Sequence, residues 1–171
     1  MILKVSQGIP KQVSKEVTNL DYSTSAASPG TYGRVTAWMA KQVELALGVL
    51  DITLPQYRVL GLLAEGSAVS SALANRLAVR PPSVTAVVDG LVARKLVERA
   101  SVADDRRQIS LLLTDEGRLL IAAADEAVDK QLVAIASSLK DDEQTEEILH
   151  SIQIWGKALT QFHLGSEIGR S

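Results

Sequence analysis

Few residues of this 171-residue chain are equipped for covalent chemistry. It has no cysteine, which excludes disulfides, thiolate metal sites, cysteine nucleophiles and a thiol redox switch in one step. Two histidines, His150 and His163, are too few for a histidine-rich metal centre. Glu146 and His150 stand four apart, on one helix face, but no third ligand is near them and the pair reads as a surface contact. No Ser-His-Asp set, carboxylate pair or glycine-rich phosphate loop can be assembled from what remains. The expectation is therefore no catalytic residue, no metal and no cofactor. The residues that do stand out are suited to binding. Arg80, Ser83 and Thr85 gather at the start of an apolar-periodic segment, and Arg106-Arg107 follow Asp104-Asp105 in a polar stretch. Guanidinium and hydroxyl groups at such places can reach phosphate or base edges, and helical N–H groups left free at a helix start favour a phosphate.

The elements that position these groups follow from periodicity. Residues 1–30, with the small polar run TNLDYSTSAASPG, read as an extended arm with at most an amphipathic turn around Lys11–Leu20. Val35, Met39, Val43, Leu47 and Leu50 recur at helical spacing. Thr53-Leu54-Pro55-Gln56 is a capping-box signature for a helix carrying Leu54, Tyr57, Leu60 and Leu63, ended by Gly66. A third helix spans about Ser70–Ala78. Pro81-Pro82 open a fourth, which buries Val84, Val87, Val88 and Leu91 and stops near Arg94. Leu96–Ala100 and Gln108–Leu113 look like strands, with Ser101–Arg107 as a long polar hairpin tip. Thr114 caps a helix whose seam is Leu120, Ala124, Val128, Leu132, Ile135 and Leu139. Lys140–Glu143 break that pattern, and Ile148, Ile152, Trp155 and Leu159 form a last stripe.

Two short helices followed by a hairpin are the layout of a winged helix-turn-helix. The fold expected is mainly α with a small β-hairpin wing, flanked by helices. The fourth helix is expected to enter the DNA major groove through Arg80, Pro82, Ser83, Thr85 and Ala86, and the wing to reach phosphate or the minor groove through Arg106 and Arg107, with Asp105 orienting one of them. Charge is distributed to match. The net charge is −2, yet residues 71–112 carry seven cations against four anions, and residues 113–150 carry three against ten.

The run SALANRLAVRPPSVTAVVDGLVARKLVERA, followed by DDRRQISLLLTDEGR, resembles the MarR family of winged-helix regulators over roughly residues 51–118. Asp105-Arg106-Arg107 and Leu113-Thr114-Asp115-Glu116-Gly117 carry the most specific part of the likeness. The resemblance implies a homodimer joined through helices at 31–50 and 119–171. It also implies a pseudo-palindromic double-stranded DNA operator, and repression relieved by a small aromatic or phenolic effector. This chain departs from the family twice. Val102-Ala103 replace the usual Asp-Pro at the wing tip, which implies a looser tip. Lys95 replaces a glycine of positive φ after the recognition helix, an expected cost of about 1 kcal/mol.

Trp38, Tyr57 and Trp155 are candidates for an effector pocket, against the plainer reading of core packing. No apolar run is long enough to span a bilayer, and the N-terminal apolar stretch is too short for a signal peptide, so a cytoplasmic location is expected. Two other functions fit the same residues: a winged-helix protein-interaction or dimerisation module, and a DNA-binding protein that responds to no ligand.

Overall fold

The computed structural model describes residues 30–102 and 105–168, with the side chains of 102–108 and 163–168 outside that description. Two compact units divide at Lys41 and Gln42, and each is taken by itself. In the first, the helix α1 (Thr31–Gly48) begins, with the Thr36 hydroxyl donating to the Tyr32 carbonyl at 2.7 Å and Trp38 half-buried. The second unit contains the remainder of α1 and then α2 (Leu54–Ala64), α3 (Ser70–Leu77), α4 (Pro81–Ala93), β1 (Val97–Val102), β2 (Asp105–Leu113), α5 (Asp115–Ala136), a 3-10 turn at Ser137–Leu139 and α6 (Asp142–Ile168). The expected arm at residues 1–29, with its turn at 11–20, lies outside the described residues.

Local chemistry explains the starts. Thr53 accepts from the Gln56 N–H at 3.4 Å while Gln56 Oε1 accepts from the Thr53 N–H at 2.9 Å, so the capping box is complete. The ends of α1, α3 and α4 share one device. Asp51, Ala78 and Lys95 adopt positive φ of 52°, 53° and 59°. In each case the next residue's N–H returns to a carbonyl five residues back: Ile52 to Leu47, Val79 to Ala74, Leu96 to Leu91. This closes the helix as a glycine normally does, at a cost of about 1–2 kcal/mol for a side chain in the left-handed region. Lys95 keeps the geometry the family's glycine serves.

The packing falls into two cores. The larger gathers Val59, Leu60 and Leu63 of α2, Leu73 and Leu77 of α3, Val84, Val88 and Leu91 of α4, and Val97, Leu111 and Leu113 of the hairpin. A buried side chain of this size contributes roughly 1.5–3 kcal/mol. The smaller holds Ala46, Leu47, Ile52, Ala124 and Val128. The strands pair antiparallel from Val97↔Leu113 to Val102↔Asp105, with an irregularity between Ser101 and Val102. Pairing therefore runs through most of what the sequence presents as a long tip. Polar residues tolerate a ribbon whose faces meet water, and no apolar alternation signals it there. Ala68 adds a bridge to Leu111, its N–H donating at 3.2 Å and its carbonyl accepting at 2.8 Å. A one-residue bridge has no pattern to read.

Candidate nucleic-acid interface

The fourth helix turns one face to the core and the other to solvent. Val84, Val88 and Leu91 are fully buried, whereas Arg80, Pro82, Ser83, Thr85 and Ala86 are all exposed. Every residue expected on the reading face of α4 is thus presented together. Arg80 occupies the N-cap with φ −69° and ψ 140° and makes no side-chain cap bond; its carbonyl accepts from the Ser83 N–H at 3.0 Å. A cation at the one position where Asp or Ser would cap the helix is unexplained by helix stability. Thr85 Oγ1 donates to the Pro81 carbonyl at 3.2 Å, which fixes its rotamer and leaves its lone pairs outward.

Side chains that local periodicity does not flag link the elements around α4. Arg58 of α2 donates to the Leu77 carbonyl at 3.2 Å, tying α2 to the end of α3. Arg76 of α3 pairs with Glu65 at 2.5 Å. Arg94 donates to the Asp51 carbonyl at 2.7 Å, binding the end of α4 to the turn before α2. Asp89 of α4 pairs with Arg99 of β1, joining helix to wing. Ion pairs and side-chain bonds to carbonyls ten or more residues apart leave no mark in a helical or strand pattern, so periodicity reveals none of the four.

The Leu-Thr-x-x-Gly motif acquires a mechanical meaning. Thr114 Oγ1 accepts from the Gly117 N–H at 3.0 Å and donates to the Lys95 carbonyl at 2.7 Å, while the Thr114 N–H reaches the Leu96 carbonyl at 3.2 Å. A Cβ on Gly117 would lie 2.0 Å from the Leu96 oxygen. Only glycine lets α5 start against the turn that ends α4, so the hairpin, α4 and α5 are fixed to one another at this point. Asp105, Arg106 and Arg107 have their backbone in β2, on the same hairpin; their side chains lie outside the described residues, as does Ala103 of the departure at the tip.

The three aromatic candidates are placed differently. Tyr57 packs between the two cores and donates its hydroxyl to Asp125 Oδ1 at 2.6 Å. Burial first, then the Asp125 carboxylate, with Asp129 adding to it, push the phenol well above its ordinary pKa. Trp155 is 67% exposed on α6 and belongs to neither core. Trp38, in the first unit, is half-buried. Among the described residues no group of three or more His, Asp or Glu is placed to hold a metal, and no helix is long and apolar enough to cross a membrane.

Helix, turn, exposed helix and hairpin define a winged helix-turn-helix protein. Residues 50–108 match the model of the MarR family. The chain is 40% identical over 85 residues to YhbI, an uncharacterised HTH-type transcriptional regulator of Bacillus subtilis, a match covering 49% of this chain and 55% of that one. It is 35% identical over 99 residues to the HTH-type transcriptional regulator FarR of Neisseria gonorrhoeae, covering 57% and 68%. The fold is that of apo MarR from E. coli (TM-score 0.68, 20% identity, 76% of this chain and 97% of that one) and of the transcriptional repressor CouR bound to a 23-mer DNA duplex (TM-score 0.61, 24% identity, 73% and 89%). The chain belongs to the MarR family of transcriptional regulators.

Proposed function

We propose that the chain is a homodimeric repressor that reads a pseudo-palindromic operator with α4 in the major groove and the wing in the flanking minor groove. The observation that carries this is the split of α4: three fully buried valine and leucine side chains behind, and Arg80, Pro82, Ser83, Thr85 and Ala86 exposed in front. Phosphates would meet Arg80, and Ser83 and Ala86 would face base edges. Arg106 and Arg107 would extend the footprint from the wing, one of them oriented by Asp105. That a relative of the same fold, CouR, is bound to a DNA duplex supports the reading.

The second copy is supported by the stem. On α5 the apolar seam is covered through Leu132 and emerges at Ile135 (42% exposed), and Leu139 of the 3-10 turn that follows is 53% exposed. On α6 Ile148, Ile152 and Trp155 follow at spacings of four and three, and Trp155 is two-thirds exposed. Such a stripe packs against another helix. A small aromatic or phenolic effector would then act by population shift, binding better to a dimer whose recognition helices no longer match one DNA turn, about 34–36 Å. With no cysteine in the chain, a reversible ligand replaces a thiol switch.

Fluorescence anisotropy of the full chain with the DNA upstream of its own gene tests the reading. Wild type is expected to bind, and R106A/R107A to lose at least tenfold in affinity and about two from the slope of log K against log salt. Affinity and slope both unchanged by the double substitution would remove the wing from the interface. For the effector, thermal shifts of the dimer with phenolic acids should rise with ligand concentration; a flat series across them would favour a ligand-independent regulator.

A further inference from the structure

Asp89 stands at an unexpected place for an acid. Pro82, Ala86, Asp89 and Ala93 are spaced by four, three and four residues, so they form one stripe along α4, and all four are exposed. This stripe is opposite the buried Val84, Val88 and Leu91. It is the crest of the helix, the part that would go deepest into a groove. Three of its members carry no hydrogen-bonding side-chain atom, which leaves Asp89 as the polar group on the crest. Its carboxylate is not loose. Asp89 Oδ1 accepts from Arg99 Nη2 of β1, and among the described residues Oδ2 has no hydrogen-bond partner.

A bare carboxylate among DNA phosphates is repelled. One paired with a guanidinium has its charge offset and its orientation set. An exposed ion pair adds little to stability, so holding the fold together is a weak reason for this one. The ionised carboxylate only accepts hydrogen bonds, and in the major groove the exocyclic amino group of cytosine is the donor that an Asp matches. Pro82 and Asp89 are about 10.5 Å apart along the axis, roughly three base-pair steps. A reader at Asp89 would thus act beyond the bases faced by the helix start.

We propose that Asp89 is a specificity-determining residue that accepts a hydrogen bond from a cytosine amino group through Oδ2, and that Arg99 is the positioning residue that aims it. This rests on the DNA-binding reading given above. It concerns base preference at one position in each half-site, and not overall affinity.

The experiment is selection of duplexes from a randomised library by the full-length protein, followed by anisotropy on single-base variants of the selected site. Wild type is expected to select cytosine at one symmetry-related pair of positions, with a preference of about 5- to 100-fold. D89N keeps an oxygen for Arg99 and should move that position toward adenine, which the amide matches. D89A should erase the preference there, and R99Q should blur it, with every other position unchanged. A structural role for the pair would alter affinity uniformly and leave the selected sequence as in wild type, and that outcome overturns the proposal. If wild type selects no sequence at all, the DNA-binding reading falls as well; if it selects a site that D89N and D89A share in full, only the role of Asp89 falls.

Discussion

The lobe built from α2, α3, α4 and the hairpin and the stem built from α5 and α6 solve the burial problem in opposite ways. In the lobe, Val59, Leu60, Leu73, Val84, Val88, Leu91, Val97 and Leu111 are all essentially inaccessible, drawn from every element. In the stem, the five-residue core takes in only Ala124 and Val128 of α5, and large apolar side chains such as Val133, Leu139, Ile154 and Trp155 stay exposed. The lobe completes its own core within one chain. The stem offers an apolar surface that one chain does not cover. The teaching is that stability and association are separable here, and that a substitution in one region should report on one of them.

The strongest test of that separation compares Leu91→Ala with Trp155→Asp. Removing the Leu91 side chain from a fully buried site should cost 2–5 kcal/mol in urea unfolding. Trp155→Asp should leave lobe packing intact and, by sedimentation, shift the dimer expected of wild type under the proposed function to monomer. A Trp155→Asp protein that remains dimeric would place the interface elsewhere. Gly117→Ala comes next. With a Cβ forced to 2.0 Å from the Leu96 carbonyl, α5 must retreat from the turn, and a loss of about 3 kcal/mol is expected in the same unfolding experiment. A loss under 1 kcal/mol would mean that the junction between wing and stem gives way freely.

Tyr57 sits on the boundary between the two regions, and its substitution sharpens where that boundary lies. Tyr57→Phe should cost about 1 kcal/mol through the lost bond to Asp125. The pH dependence has a definite sign. The folded-state pKa of the phenol is raised, so its contribution is complete below the unfolded value near 10 and is lost as pH climbs beyond it. The Phe variant should therefore lose less stability above pH 10 than wild type, as read by the unfolding free energy across that range. Equal alkaline losses in the two proteins would show that the hydrogen bond is not maintained in solution. The smallest effect is a gain: Lys95→Gly, at φ 59°, should raise stability by up to about 1 kcal/mol, and Ala78→Gly, at φ 53°, by a similar amount. No gain at either site would contradict the left-handed geometry assigned to these turns.

The contrast also explains what the sequence made legible. The exposed and buried sides of α4 followed from the spacing of Val84, Val88 and Leu91, and the capping box at Thr53 from four consecutive residues. Such signals are local, and the structure reproduces them. The positive φ at Lys95 was legible through family resemblance alone, because a lysine gives no local warning of it. Asp51 and Ala78 close their helices in the same way without any such hint. The spacing presents Leu120 to Leu139 as one continuous stripe, yet Ile135 and Leu139 are exposed while Ala136, outside that stripe, is buried, since periodicity tells which residues share a face and not what covers it. The pairs Asp89–Arg99 and Arg76–Glu65 and the bonds from Arg58 and Arg94 join distant positions, and tertiary geometry alone reveals them.

Hydroxyl-radical footprinting of the full-length protein on its selected duplex tests the central claim most directly. Two protected segments are expected, their centres one helical turn apart, about 34–36 Å, each with an outer minor-groove protection that disappears in R106A/R107A. A single protected segment, or outer protections that persist when both arginines are removed, would contradict it.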